Sequence, residues 1–151
     1  MRRPPAGFTL IELLLVLMLI AMVSGLAGLA LRDGGESRLE REAVRLAALL
    51  EAGRAEARAS GVAVRFELTP PGSEMAFRFV GLAPDTLPAG HWLDPEMQAR
   101  IEGARALRLG PEPLIGAQRI VLWLGERQLV LATDGLAPFA VADAASAAGP
   151  R

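Results

Sequence analysis

Few side chains in this sequence could carry chemistry, and their spacing narrows the options. The one histidine, His91, stands near Asp94 and Glu96 and beside Trp92. An imidazole with two carboxylates can hold an adventitious metal, yet no second histidine, cysteine or carboxylate motif completes a site. Cysteine is absent, which removes a thiolate zinc site, a cysteine nucleophile and a disulfide framework. No catalytic residue, metal or cofactor is therefore expected. The acid in the least ordinary place is Glu12, just inside an apolar run whose residues 13–31 carry no charge. An unpaired carboxylate costs about 2.5 to 3.5 kcal/mol at mid-bilayer and less near the interface. A plain anchor gains nothing from such a residue, so Glu12 calls for an opposite charge.

The element that must position Glu12 is a helix over residues 8–31, about 36 Å long and able to cross a hydrocarbon layer of about 30 Å with some tilt. Arg2 and Arg3 precede it, and the positive-inside rule keeps such a stub in the cytoplasm, with the bulk of the chain facing outward after a single pass. A cleaved secretory signal fits less well, because no A-x-A site ends the run and the acid is misplaced. The arginine pair lacks the surroundings of a twin-arginine address.

The segment Gly7-Phe8-Thr9-Leu10-Ile11-Glu12-Leu13 resembles, residue for residue, the class III signal of type IV pilins and type II secretion pseudopilins. That resemblance implies that a prepilin peptidase cuts between Gly7 and Phe8 on the cytoplasmic side and N-methylates the new Phe8 amine. Residues 1–7 are then a leader and residues 8–31 a retained transmembrane helix. A helix starting at Phe8 exposes a positive amine that Glu12 of a neighbouring subunit can pair with in a low-dielectric setting.

Beyond the run, Arg32-Asp33-Gly34-Gly35 predicts a bend or frayed turn, since two helical glycines cost about 2 kcal/mol relative to alanine. Ser37 with Glu40 three places on reads as a capping box, opening a second helical segment at Arg38. Within the amphipathic segment 32–61, Leu39, Ala43, Leu46, Leu50, Gly53 and Ala57 form one apolar stripe. The charges between them, such as Arg38 with Glu42 and Glu51 with Arg54, read as a solvated face with pairs of about 0.2 to 0.5 kcal/mol each. Gly61 suits the helix stop.

From Val62 the period changes to two, predicting a strand over 62–68, a Pro70-Pro71-Gly72-Ser73 turn, and a hairpin partner carrying Met75, Phe77 and Phe79. Residues 82–98 read as loop. Residues 105–109 give a weaker strand signal, 119–124 and 128–133 a second hairpin around Gly125-Glu126-Arg127, and 139–142 a last short strand. The head thus spans 62–143, with 144–151 a loose tail. The expected fold class is α+β and pilin-like: a long amino-terminal helix, half membrane-embedded and half amphipathic, packed on antiparallel sheet.

Residues 42–50, 55–61 and the strand after them are similar to the H-class minor pseudopilins of type II secretion, and Thr133-Asp134-Gly135-Leu136-Ala137-Pro138-Phe139 resembles their closing turn and strand. The middle, 82–116, adds little beyond Trp92. The resemblance implies a non-enzymatic subunit in the inner membrane with its head in the periplasm. It implies assembly with other minor pseudopilins of a tip complex, the major pseudopilin and an inner-membrane platform. A minor type IV pilin of the T class, some of which bind DNA, is the alternative. Against nucleic acid as a partner, the net charge is −1 and eight arginines after Val62 face ten acids. Arg100, Arg105 and Arg108 cluster only loosely in sequence. Trp92 and Trp123 read as core or interface aromatics, and Asp134-Gly135 as an ordinary turn.

Overall fold

The computed structural model describes residues 10–83, 86–88 and 90–142, with the side chains of 23–33 left aside. Two compact units divide the chain, residues 1–35 and residues 36–151.

One helix, α1 (Leu10–Ser60), belongs to both units. In the first unit every described side chain over residues 10–22 is exposed, including Leu13, Leu14, Leu15, Leu17 and Ile20. Among the described residues no helix is long and apolar enough to cross a membrane. The described side chains of the apolar run stop at Met22. The expected leader and the first residues of the expected span lie outside the described residues.

The helix does not break at Gly34-Gly35, contrary to the expected bend, and Ser37 lies inside it rather than at a cap. Extending an existing helix needs no new nucleus, so each residue adds a hydrogen bond at little further cost. That gain carries the backbone through two poor helix formers. The boundary between the compact units nevertheless falls immediately after the glycine pair.

In the second unit the stripe is buried as expected: Ala43, Leu46, Leu50 and Ala57 are fully enclosed and Leu39 nearly so. A Cβ at Gly53 would meet Leu109 Cδ1 at 2.8 Å, so the missing side chain lets helix and sheet approach closely. The helix ends as expected, with Gly61 at φ +69° and its N–H donating to the Ala57 carbonyl at 3.0 Å.

Among the described residues seven strands follow: β1 (Val64–Leu68), β2 (Phe77–Val80), β3 (Gln98–Glu102), β4 (Ala106–Gly110), β5 (Gln118–Leu124), β6 (Arg127–Thr133) and β7 (Ala140–Ala142). They form two antiparallel sheets, ordered β2-β1-β4 and β3-β5-β6-β7. The α+β class expected from the sequence holds, with the helix packed on antiparallel sheet. The first strand starts two residues later than expected, and Val62 is exposed in the approach. Phe66, Phe77 and Phe79 stack at 5.1 to 6.2 Å between ring centres, and Trp92 adds a fourth ring 4.8 Å from Phe77.

Strand β3 was not among the expected elements; it begins at Gln98, the last residue of the expected loop. Only Ala99 and Ile101 turn inward from it, too short an alternation to stand out in sequence. It is specified by its partner: Gln98 to Glu102 pair in unbroken register with Trp123 to Arg119 of β5. Strand β4 joins the other sheet, through β1, so residues 98–110 link the two layers.

Candidate functional site

Glu12 sits in the first turn of α1, where the helix dipole favours a negative charge, and its side chain is exposed. Exposed apolar side chains surround it on all faces of the helix, with no polar stripe to mark a solvent side. A helix apolar all round is stable only when something apolar covers it. Gly7 and Phe8 lie outside the described residues.

The head contains two clusters where charged helix residues hold loops. The first is built by Arg38, Glu42 and Arg45, one turn or so apart on α1. Glu42 is completely buried, accepting the Leu93 N–H at 2.6 Å through Oε2 and Arg45 Nη1 at 2.8 Å through Oε1. Arg45 Nη1 also donates to the His91 carbonyl at 3.0 Å, and Arg38 pairs with Asp94 at 2.9 Å. Asp94 Oδ1 accepts the Glu96 N–H at 3.0 Å.

These contacts correct the reading of Arg38 and Glu42 as a solvated pair. Glu42 faces the 91–97 loop, where its desolvation is offset by a backbone N–H and a guanidinium. The same contacts occupy Asp94 with Arg38 and bind His91 through its backbone. Among the described residues no group of three or more His, Asp or Glu could hold a metal ion.

The second cluster joins Glu51 and Arg54 to the 133–139 turn. Arg54 is only 3% exposed; its Nη1 donates to Glu51 Oε1 at 3.1 Å and the Ala137 carbonyl at 3.0 Å, and its Nη2 to the Gly135 carbonyl at 3.4 Å. Glu51 Oε1 also accepts the Phe139 N–H at 3.1 Å. This pair too is structural rather than solvated, since a buried guanidinium needs several acceptors.

Inside the turn, Thr133 Oγ1 donates to the Ala137 carbonyl at 2.6 Å and accepts the Gly135 N–H at 2.9 Å. Asp134 Oδ1 accepts the Leu136 and Ala137 N–H groups at 2.8 and 2.7 Å. Those backbone donors, Ala137 first and Leu136 next, hold the Asp134 carboxyl below the usual aspartate range. Gly135 adopts φ +97°, and a Cβ there would lie 2.6 Å from the Gly116 backbone. The Asp-Gly reading as a structural turn is therefore sound in its geometry.

The remaining singled-out residues separate. Trp123 lies on the outer side of the second sheet, its Nε1 donating to Gln128 at 3.2 Å and its ring under the Arg100 guanidinium at 5.4 Å. Arg100 belongs to that sheet, Arg108 belongs to the first and faces Arg65 in register, and Arg105 lies in the connection between them, so the three arginines close in sequence do not share a layer. Buried Glu42 and Arg54 were missed as positioning residues because the i, i+4 and i, i+3 charge patterns of an exposed and of a loop-holding pair are the same.

The prokaryotic N-terminal methylation motif matches residues 2–28. No curated protein and no solved structure matches the chain. The motif and the helix-on-sheet fold support a pilin-like protein, one whose amino terminus is membrane-anchored, processed by a prepilin peptidase and assembled into a pilus-like fibre.

Proposed function

We propose that this chain is a minor pseudopilin of type II secretion, of the H class, which links a tip complex of other minor pseudopilins to the major-subunit shaft. The observation that carries the reading is the placement of Glu12 in the first turn of an exposed, all-round apolar helix within the methylation motif. In this reading the peptidase cuts between Gly7 and Phe8 and methylates Phe8. Residues 8–31 then cross the inner membrane once, and the head stands in the periplasm.

Glu12 of one subunit neutralises the trimmed Phe8 amine of the next. Away from bulk water that attraction is strong enough to select the register of the stack. The H-class assignment is supported by the sequence likeness of residues 42–50, 55–61 and 133–139. The subunit performs no chemistry; it transmits position between the fibre core and its own loops.

Disruption of the gene in its host, with complementation by the full chain, tests this. Loss of exported proteins from the medium, with pili and DNA uptake intact, is expected. Unchanged export with lost pili or transformation would move the chain to the type IV minor pilins.

A further inference from the structure

The face of the β2-β1-β4 sheet turned away from the core carries an unfavourable arrangement of charge. Along β1 the side chains of Val64, Phe66 and Leu68 pack into the core, which leaves Arg65 and Glu67 on the other face. By the same alternation β2 contributes Arg78 to that face and β4 contributes Arg108. The register places Arg78 opposite Glu67, and Arg108 directly opposite Arg65. Like charges so placed have Cβ atoms about 5 Å apart and destabilise a sheet.

Glu67 does not relieve this opposition. Its Oε2 accepts from Arg78 Nε at 3.1 Å and Nη2 at 2.8 Å, whereas its Oε1 lies 4.0 Å from Arg65 Nε, beyond a hydrogen bond. Among the described residues no other ion pair reaches Arg65 or Arg108.

The backbone beneath the pair is fixed. The Arg108 N–H donates to Gln118 Oε1 at 2.6 Å and its carbonyl accepts from Gln118 Nε2 at 2.9 Å, so a side-chain amide closes the β4 edge where no further strand pairs. The register shifts between Val64 and Arg65, leaving Leu109 without a counterpart on β1. A bulge of this kind bends its strand and re-aims the side chains beside it. A hollow of about 380 Å³ opens here, lined by Arg65 and Arg108 together with Ala63, Val64 and Gly110.

Two guanidinium groups beside apolar surface suit a single carboxylate on an alkyl stem: the planar forks bind its oxygens and the apolar surface takes the methylenes. A nucleic acid fits less well, because a run of phosphates needs a basic track and Glu67 stands two residues along β1 from Arg65.

We propose that the Arg65–Arg108 pair is a docking site for an aspartate or glutamate side chain of a different subunit of the fibre. The proposal rests on the fibre reading for the class of partner, since a subunit linking tip to shaft has other pilins as neighbours. It goes beyond that reading in naming the contact residues and the acid they take. Docking neutralises an opposition that the lone head must bear, so the site favours the assembled state and rejects basic partners.

The sequence contains no lysine, which makes the test direct. Full-length Arg108→Lys replaces the parent in the native membranes of its host. A zero-length carbodiimide then joins the introduced amine to a carboxylate in contact with it, the lost water leaving in the urea. Peptide mass spectrometry should find that amine in amide linkage to an Asp or Glu of another protein bearing the methylation motif. The yield should be about tenfold that from Arg100→Lys on the second sheet, and adding Arg65→Gln should lower it severalfold. Arg65→Gln with Arg108→Gln should cut copurification of other fibre subunits severalfold, with a denaturant midpoint no lower than the parent's, because the change removes like charges.

An adduct no greater than that of Arg100→Lys would overturn the proposal, as would a link only to Glu67 of the same chain, to a second copy, or to a protein without the motif. A lowered midpoint with copurification unchanged would overturn it too. Loss of the adduct on adding duplex DNA, with a gel shift that needs both arginines, would overturn it in favour of nucleic acid. The state of Phe8 in the same membranes separates two failures: methylated Phe8 without the adduct leaves the fibre reading standing, and an unprocessed terminus without the adduct overturns both.

Discussion

Glu42 Oε2 accepts the backbone N–H of Leu93 at 2.6 Å across 51 residues of sequence, and the carboxylate that does so is fully enclosed. The bond ties the head helix to the loop bearing Trp92, whose ring packs on Phe77. Truncating one member of a buried hydrogen-bonded charge pair leaves the other unsatisfied. Glu42→Ala is therefore expected to lower unfolding free energy by about 2 to 4 kcal/mol, and Glu42→Gln, which keeps an acceptor for Leu93, by about half as much. Urea denaturation of the detergent-solubilised full chain checks both values.

Two glycines with positive φ separate backbone strain from close packing. Gly125, at φ +61°, has open space where a Cβ would go, whereas Gly135, at φ +97°, meets the Gly116 backbone. Gly125→Ala should cost about 1 kcal/mol and Gly135→Ala at least twice that, because only the second must also move a neighbouring segment. Paired thermal melts give the comparison.

Asp134 supplies a pH dependence of known sign. Its carboxyl ionises more readily in the folded chain because the Ala137 and Leu136 N–H groups donate to it. Its contribution to stability is thus full above the ordinary aspartate value of about 3.9 and is lost as pH falls through the lowered folded value. The stability difference between the parent and Asp134→Asn should be constant from pH 7 to pH 5 and shrink below pH 4, as read by denaturant midpoints.

At the other end of the chain, Glu12→Leu should leave membrane insertion intact, since it removes a charge from an apolar run. It should reduce crosslinking to fibre partners roughly tenfold, because it removes the carboxylate proposed to meet the Phe8 amine of the next subunit. Parental crosslinking by this variant would refute the pairing.

The helix stripe, the Gly61 stop and both hairpins were legible because each rests on a short-range signal: period 3.6, positive φ, or alternation about a turn. Strand β3 was not, because its place is set by β5 across the sheet rather than by its own two inward residues. Continuity through Gly34-Gly35 was hidden for the opposite reason, a strong local signal overridden by helix propagation. Glu12 announced itself as an acid in an apolar run. Glu42 and Arg54 did not, because a charge between apolar helix positions reads as solvated until the loops it holds are in place.

Leader removal is the event on which the assembly account depends, and intact-mass spectrometry of the protein purified from its native membranes reads it most directly. The expected species begins at N-methylated Phe8, and Gly7→Ala should retain the leader, because a methyl at the cleavage boundary obstructs the peptidase. A native chain still carrying residues 1–7, or an unmodified amino terminus elsewhere in the apolar run, would contradict the account.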